Sequence, residues 1–92
     1  MSFLKKNSSE AELRPIFILI KTYPGYEHEV YHKLEKVEEL SGLYPLFGEY
    51  DYLVKFSAEV NIRDVELGVF VIKNIQNIEG VVKTKSLSRL KY

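Results

Sequence analysis

Three short stretches of the 92-residue chain hold residue types whose spacing matches known chemistry. The first is His28-Glu29-Val30-Tyr31-His32, an HExxH pattern. On a helix, two His at i and i+4 reach one metal ion while the Glu between them activates a bound water. The second is Gly48-Glu49-Tyr50-Asp51, which taken alone is a hairpin turn whose Gly and Asp satisfy turn geometry. The third is the alternation of Lys83, Lys85, Arg89 and Lys91 along one segment. A basic stripe of this kind holds an anion or a nucleic-acid backbone, or blocks edge-to-edge pairing of an outer strand.

The elements that position these residues follow from hydrophobic periodicity. Met1 to Arg14 is polar without a sustained period and is expected to be a tail or a frayed helical turn, closed off by Pro15. Residues 15–92 then form one domain. Ile16-Phe17-Ile18-Leu19-Ile20 is a continuous β-branched and aromatic run, the pattern of a strand buried on both faces. Pro24-Gly25 turns the chain into a helix from Tyr26 to about Leu40, ended by Gly42. Tyr26, Val30, Leu34 and Val37 fall within an arc of roughly 80° at 100° per residue.

That arc decides the first motif. His28, Glu29 and His32 lie on the side opposite the apolar stripe, toward solvent and away from any cleft. A catalytic zinc takes three protein ligands, and no third one follows in the sequence. Lys33, directly after the second His, also departs from the protease pattern. The pair is expected to be exposed and non-catalytic, with adventitious Zn²⁺ or Ni²⁺ binding as its metal chemistry.

Leu43 to Phe47 is a second strand, where Pro45 marks an edge or a bulge, and Tyr52 to Phe56 is a third, hairpinned to it through residues 48–51. Asn61 to about Gln76 is a second helix with two apolar stripes. Ile62, Val65, Val69 and Ile72 make one; Leu67, Val71, Ile75 and Ile78 make the other. Together they span roughly 220°, twice the width one sheet covers, so part of this helix is expected to meet another chain. Val81 to Leu90 is the last strand. The order β-α-β-β-α-β is the ferredoxin-like split βαβ pattern, of α+β class. Its sheet has one face free of helices. Because the first strand is apolar on both faces, that face is expected to meet a second copy, giving a dimeric α/β barrel through sheet-to-sheet packing.

Composition narrows the function. The 13 basic and 13 acidic side chains give a net charge of zero, which argues against direct nucleic-acid binding. The seven Tyr and five Phe then serve core and interface packing better than base stacking. With 46% apolar residues the chain is not a disordered acidic tail. Zero Cys excludes a disulfide framework and a thiolate nucleophile, and suits a cytoplasmic protein. No apolar run has the length of a membrane span or a signal peptide.

Three segments in order resemble the ligand-sensing (RAM-type) domain of the Lrp/AsnC, or feast/famine, transcription regulators. They are Ile18-Leu19-Ile20-Lys21 followed by Pro24-Gly25 and a helix; Gly48-Glu49-Tyr50-Asp51-Tyr52-Leu53-Val54-Lys55; and Ile78-Glu79-Gly80-Val81 with Thr84 and Ser86. The resemblance covers about residues 16–90. It implies dimers by sheet packing, joined into higher oligomers, and an amino-acid effector held between dimers. It implies no enzyme activity and no cofactor. Only 14 residues precede Pro15, too few for the helix-turn-helix that full-length members carry. A stand-alone sensing module acting through a DNA-binding family member is therefore expected.

By the same resemblance the effector contacts are Gly48, Glu49, Tyr50 and Asp51, with Thr84, Ser86 and Ser88 on the neighbouring strand. Gly48 permits φ > 0, so backbone N–H groups of the loop can face a carboxylate. Asp51 would accept from the ammonium and Tyr50 would wall the side-chain pocket. Ser86-Leu87-Ser88-Arg89 stands where the family usually has an apolar run. The alternatives to a sensor are a barrel enzyme using the cavity between sheet and helices, and a purely structural assembly subunit.

Overall fold

The computed structural model describes residues 12–59 and 62–87. In it, β1 (Leu13–Thr22) leads through α1 (Glu27–Glu35) to the hairpin of β2 (Leu40–Pro45) and β3 (Tyr52–Glu59). Then come α2 (Asp64–Val71), continued by a π-helical turn at Ile72–Gln76, and β4 (Val81–Ser86). The sheet runs in the order β2-β3-β1-β4 with every neighbouring pair antiparallel. This is the α+β ferredoxin-like arrangement that the sequence predicts.

Strand alternation divides the sheet into a packed and an open face. Ile18, Ile20 and Thr22 of β1 are buried, as are Tyr52, Val54, Phe56 and Ala58 of β3. The apolar ones pack with Val30 and Leu34 of α1 and with Phe70, Val71 and Ile75 from the second helical segment. Fully burying apolar side chains of this size stabilises by about 1.5–3 kcal/mol each. The intervening residues form the open face. The register places Tyr44, Leu53, Leu19 and Lys85 in one row across it, with Lys55 and Phe17 in the next. Within the single chain Phe17 and Leu19 are only half-buried, so the expected two-faced burial of β1 is met on one face.

Several boundaries differ from expectation for physical reasons. β1 starts at Leu13, before Pro15. Since β4 pairs only with Ile18–Thr22, β1 is an edge at Pro15 and the missing N–H costs no ladder bond there. The first helix ends at Glu35 rather than near Leu40. Glu38 and Glu39 would place negative charge at its negative end, and Leu40 instead pairs with Phe56 across β3. The predicted helix-ending Gly42 lies inside β2, where the Tyr44 ring occupies the place a Cβ would take. The connection between β2 and β3 is consequently Leu46–Asp51, six residues rather than four, and Phe47 belongs to it.

Of the two stripes, Leu67, Val71, Ile75 and Ile78 pack into or against the core, joined by Ile62 of the other, while Val65, Val69 and Ile72 are 61%, 39% and 51% exposed. Phe70, absent from both predicted stripes, is buried against Phe56 with ring centroids 4.8 Å apart. Edge strand β4 presents Lys83 and Lys85 to solvent, as expected of a charged edge. Arg89, Lys91, Ser88 and residues 1–11 lie outside the described residues.

Candidate functional site

The loop 46–51 is closed by Leu46 N donating to Asp51 O at 2.9 Å and pinned to β1 by Asp51 N donating to Ile20 O at 2.8 Å. Gly48 adopts φ 118°, a conformation strained for any L side chain. Asp51 turns back toward the sheet. Its Oδ2 accepts from Thr22 N at 2.8 Å and from Thr22 Oγ1 at 3.0 Å. One carboxylate oxygen of the predicted ammonium acceptor thus satisfies the buried end of β1, and Oδ1 takes no part in those bonds.

Glu49 and Tyr50 lean the other way, over the open face. Lys21 Nζ donates to the Glu49 carbonyl at 3.0 Å, and Lys83 Nζ lies 3.5 Å from Glu49 Oε2. The same ammonium stands 5.4 Å from the centre of the Tyr50 ring. Two carboxylates, Glu49 and Asp51, therefore share one corner of the sheet with two ammonium groups, Lys21 and Lys83. Both Glu49 and Lys83 are exposed, so water screens their attraction and little is lost when they part. Phe47, at the tip of this loop, is fully exposed at 104% of its reference area. The one neighbour with a shifted ionisation is Tyr52. Burial first, and then the charges of Asp51 and Glu27, raise its pKa above 10.0, and its hydroxyl donates to Glu27 O at 2.8 Å.

Thr84 and Ser86 are placed elsewhere. Thr84 pairs with Ile20 and Ser86 with Ile18, so both share the packed face with those buried residues. They line an open groove of about 570 Å³ under α2, with Ile18, Phe56, Leu67 and Gln76 among the other walls. Gln76 Nε2 donates to Thr84 Oγ1 at 2.9 Å. The residues predicted as one site thus fall into two groups on opposite faces, with β4 alternating between them. Lys21, Thr22 and Lys83 complete the loop's surroundings; the sequence marks Lys83 within a basic stripe and Lys21 within the first resembling segment, but ties none of the three to this loop. Only the alternation of β1 places Thr22 inward and Lys21 outward.

His28, Glu29 and His32 are exposed on α1, as the helical arc predicts. Among the described residues no group of three or more His, Cys, Asp or Glu is arranged to hold a metal ion. No helix among them is long and apolar enough to cross a membrane.

No protein-family model and no curated protein matches the chain; solved structures do. The chain is 30% identical to FFRP-DM1, with 83% of this chain and 97% of that one covered at a TM-score of 0.68. It also has the fold of AsnC from E. coli, at 22% identity and a TM-score of 0.73, covering 94% of this chain and 56% of that one. The transcriptional regulator NMB0573 of Neisseria meningitidis, solved as its L-Met complex, is similar at 22% identity and a TM-score of 0.70. There 99% of this chain and 58% of the regulator are covered. This chain spans a little over half the length of the latter two proteins.

Proposed function

The chain belongs to the Lrp/AsnC (feast/famine) family, and on that premise we propose that it is an amino-acid-sensing, self-assembling module that modulates transcription through a DNA-binding partner. The observation that carries this reading is the mixed charge of the Gly48–Asp51 corner. A free amino acid brings an ammonium and a carboxylate one carbon apart, and this corner offers acceptors and donors at matching scale. Glu49, which stands with Tyr50 and Lys83 on the open side, receives the ammonium, while Asp51, turned onto Thr22, holds the loop that presents it. Lys83 and the backbone N–H groups around Gly48 receive the carboxylate. The Tyr50 ring walls the side chain. Thr84 and Ser86, facing the groove under α2, stand apart from this corner. The L-Met held by NMB0573, a protein of the same fold, supports an amino acid as the ligand class.

Assembly completes the reading. The open sheet face, with Leu19, Leu53, Phe17 and Tyr44, meets the same face of a second copy and forms a dimeric barrel. Phe47 and the exposed Val65–Val69–Ile72 stripe lie outside that face and join dimers into larger assemblies. The role is one of binding rather than catalysis, in keeping with the regulators that the fold resembles.

A thermal-shift panel of the twenty amino acids at millimolar concentration tests the proposal. A ligand at a hundred times its Kd adds about 2.7 kcal/mol, on the order of 10 °C in a domain of this size. A shift for one or a few amino acids, lost in Tyr50→Ala, is the expected result. A flat panel at saturating concentrations overturns it.

A further inference from the structure

Neither the fold nor the charged corner makes use of the two histidines of α1, which are the only two in the chain. Their geometry is specific. His32 Nδ1 lies 3.1 Å from Glu35 Oε1. A carboxylate accepts, so Nδ1 carries the hydrogen, and the neutral His32 ring therefore presents a bare lone pair at Nε2. His28 Nε2 stands 3.0 Å from that atom, its own N–H donating across the gap. The rings are perpendicular, with centroids 4.3 Å apart. Between and just beyond them Val30 and Leu34 are fully buried, so the helical turn bearing both imidazoles is anchored in the core.

We propose that His28 and His32 form a two-imidazole binding site for a divalent ion of tetragonal or octahedral preference, Cu²⁺ above Ni²⁺, with Glu35 orienting His32. The ion displaces the shared proton and sits to one side of the line between the two Nε2 atoms, roughly 2.0–2.1 Å from each. His28 gives up its Nε2 proton to solvent and takes one up at Nδ1, so the pair stays neutral and both Nε2 lone pairs face the ion. With bonds of roughly 2.0–2.1 Å, nitrogens 3.0 Å apart subtend about 91–97° at the metal. That is the angle between adjacent positions of a square or an octahedron. Square-planar or tetragonal nitrogen sites favour Cu²⁺ and Ni²⁺. His32 lies in the last turn of α1, where the negative end of the helix dipole favours a cation. Solvent fills the remaining positions, which makes this a binding site with exchangeable ligands and not a zinc-protease centre. The site is independent of the effector reading, since α1 contributes nothing to the Gly48–Asp51 corner beyond the Glu27 carbonyl that receives Tyr52.

The test is calorimetric titration of the intact chain with Cu²⁺, Ni²⁺ and Zn²⁺ salts in a non-coordinating buffer at neutral pH. Wild type, His28→Ala, His32→Ala and Glu35→Gln are compared. Both imidazoles are exposed and Ala favours helix, so metal-free melting midpoints of the His variants should match wild type. The expected result is one Cu²⁺ or Ni²⁺ per chain, bound tighter than Zn²⁺. Affinity falls at least tenfold in either His variant and several-fold in Glu35→Gln with unchanged stoichiometry. Electron paramagnetic resonance of the Cu²⁺ form should report two equatorial nitrogens. Tighter binding of Zn²⁺ than of Ni²⁺, or affinity undiminished in His28→Ala, overturns the assignment.

Discussion

Asp51 Oδ2 caps the buried end of β1 by accepting from both the backbone N and the Oγ1 of Thr22, at 2.8 and 3.0 Å. Thr22 is the one buried polar residue of the described chain, at 3% exposure, so this carboxylate is part of the fold whatever else it binds. Removing it leaves a buried N–H and hydroxyl unsatisfied. Asp51→Ala should lose about 2–3 kcal/mol, on the order of 10 °C in melting midpoint. Glu49→Gln, which touches only exposed partners, should stay within about 0.5 kcal/mol of wild type. Urea unfolding of both variants checks the contrast. It also means that loss of ligand binding in Asp51→Ala cannot be read as loss of a contact, whereas Tyr50→Ala can.

Gly80 and Gly48 both have positive φ, 101° and 118°, yet they should not respond alike to Ala. At Gly48 a Cβ meets nothing within 4 Å, and only the backbone strain of about 1–2 kcal/mol remains. At Gly80 it would lie 2.8 Å from the Tyr26 Cβ, an atom with no freedom to swing away. Gly80→Ala should therefore cost at least about 1 kcal/mol more than Gly48→Ala, read by chemical denaturation.

Much of this was legible before the structure, and the misses share a cause. The apolar run of β1, the stripe of α1, the edge position of Pro45 and the outward His pair all follow from local period and residue type. What periodicity could not show is set by partners far along the chain. Thr22 and Asp51 are 29 residues apart, and Lys21 and Glu49 are 28. Phe70 escaped because its contact with Phe56, the rings tilted at 47°, depends on how the second helix lies on the sheet. The π-helical turn alters the spacing after Val71, and the two halves of the predicted site separated because alternation along β4 sends Lys83 and Thr84 to opposite faces.

Tyr52 links stability to alkaline pH. Its pKa is raised in the folded state, so the protonated form is favoured there. The contribution is complete below the unfolded value of 10.0 and is lost as pH climbs from there through the raised folded value. Tyr52→Phe should lose about 1 kcal/mol at pH 7 from the missing bond to Glu27 O. The gap between the two proteins should shrink above pH 10, measured as unfolding free energy across pH 8 to 11.

A charge at the centre of the open sheet face should break the proposed dimer. Leu19 sits between Leu53 and Lys85 there. Leu19→Glu should run as a monomer in light scattering after gel filtration, with secondary structure retained. Val69→Glu, on the exposed stripe of α2, should keep the dimer and lose any larger species.

The claim at the centre of this account is that the Gly48–Asp51 corner receives an amino acid. Calorimetric titration of the assembled chain with the amino acid selected by melting shift, beside Tyr50→Ala and Lys83→Ala, tests it most directly. The account predicts saturable binding to wild type, with affinity reduced at least tenfold in both variants while their melting midpoints without ligand stay near wild type. Binding unchanged in both would place the ligand elsewhere, the groove under α2 first, and would contradict it.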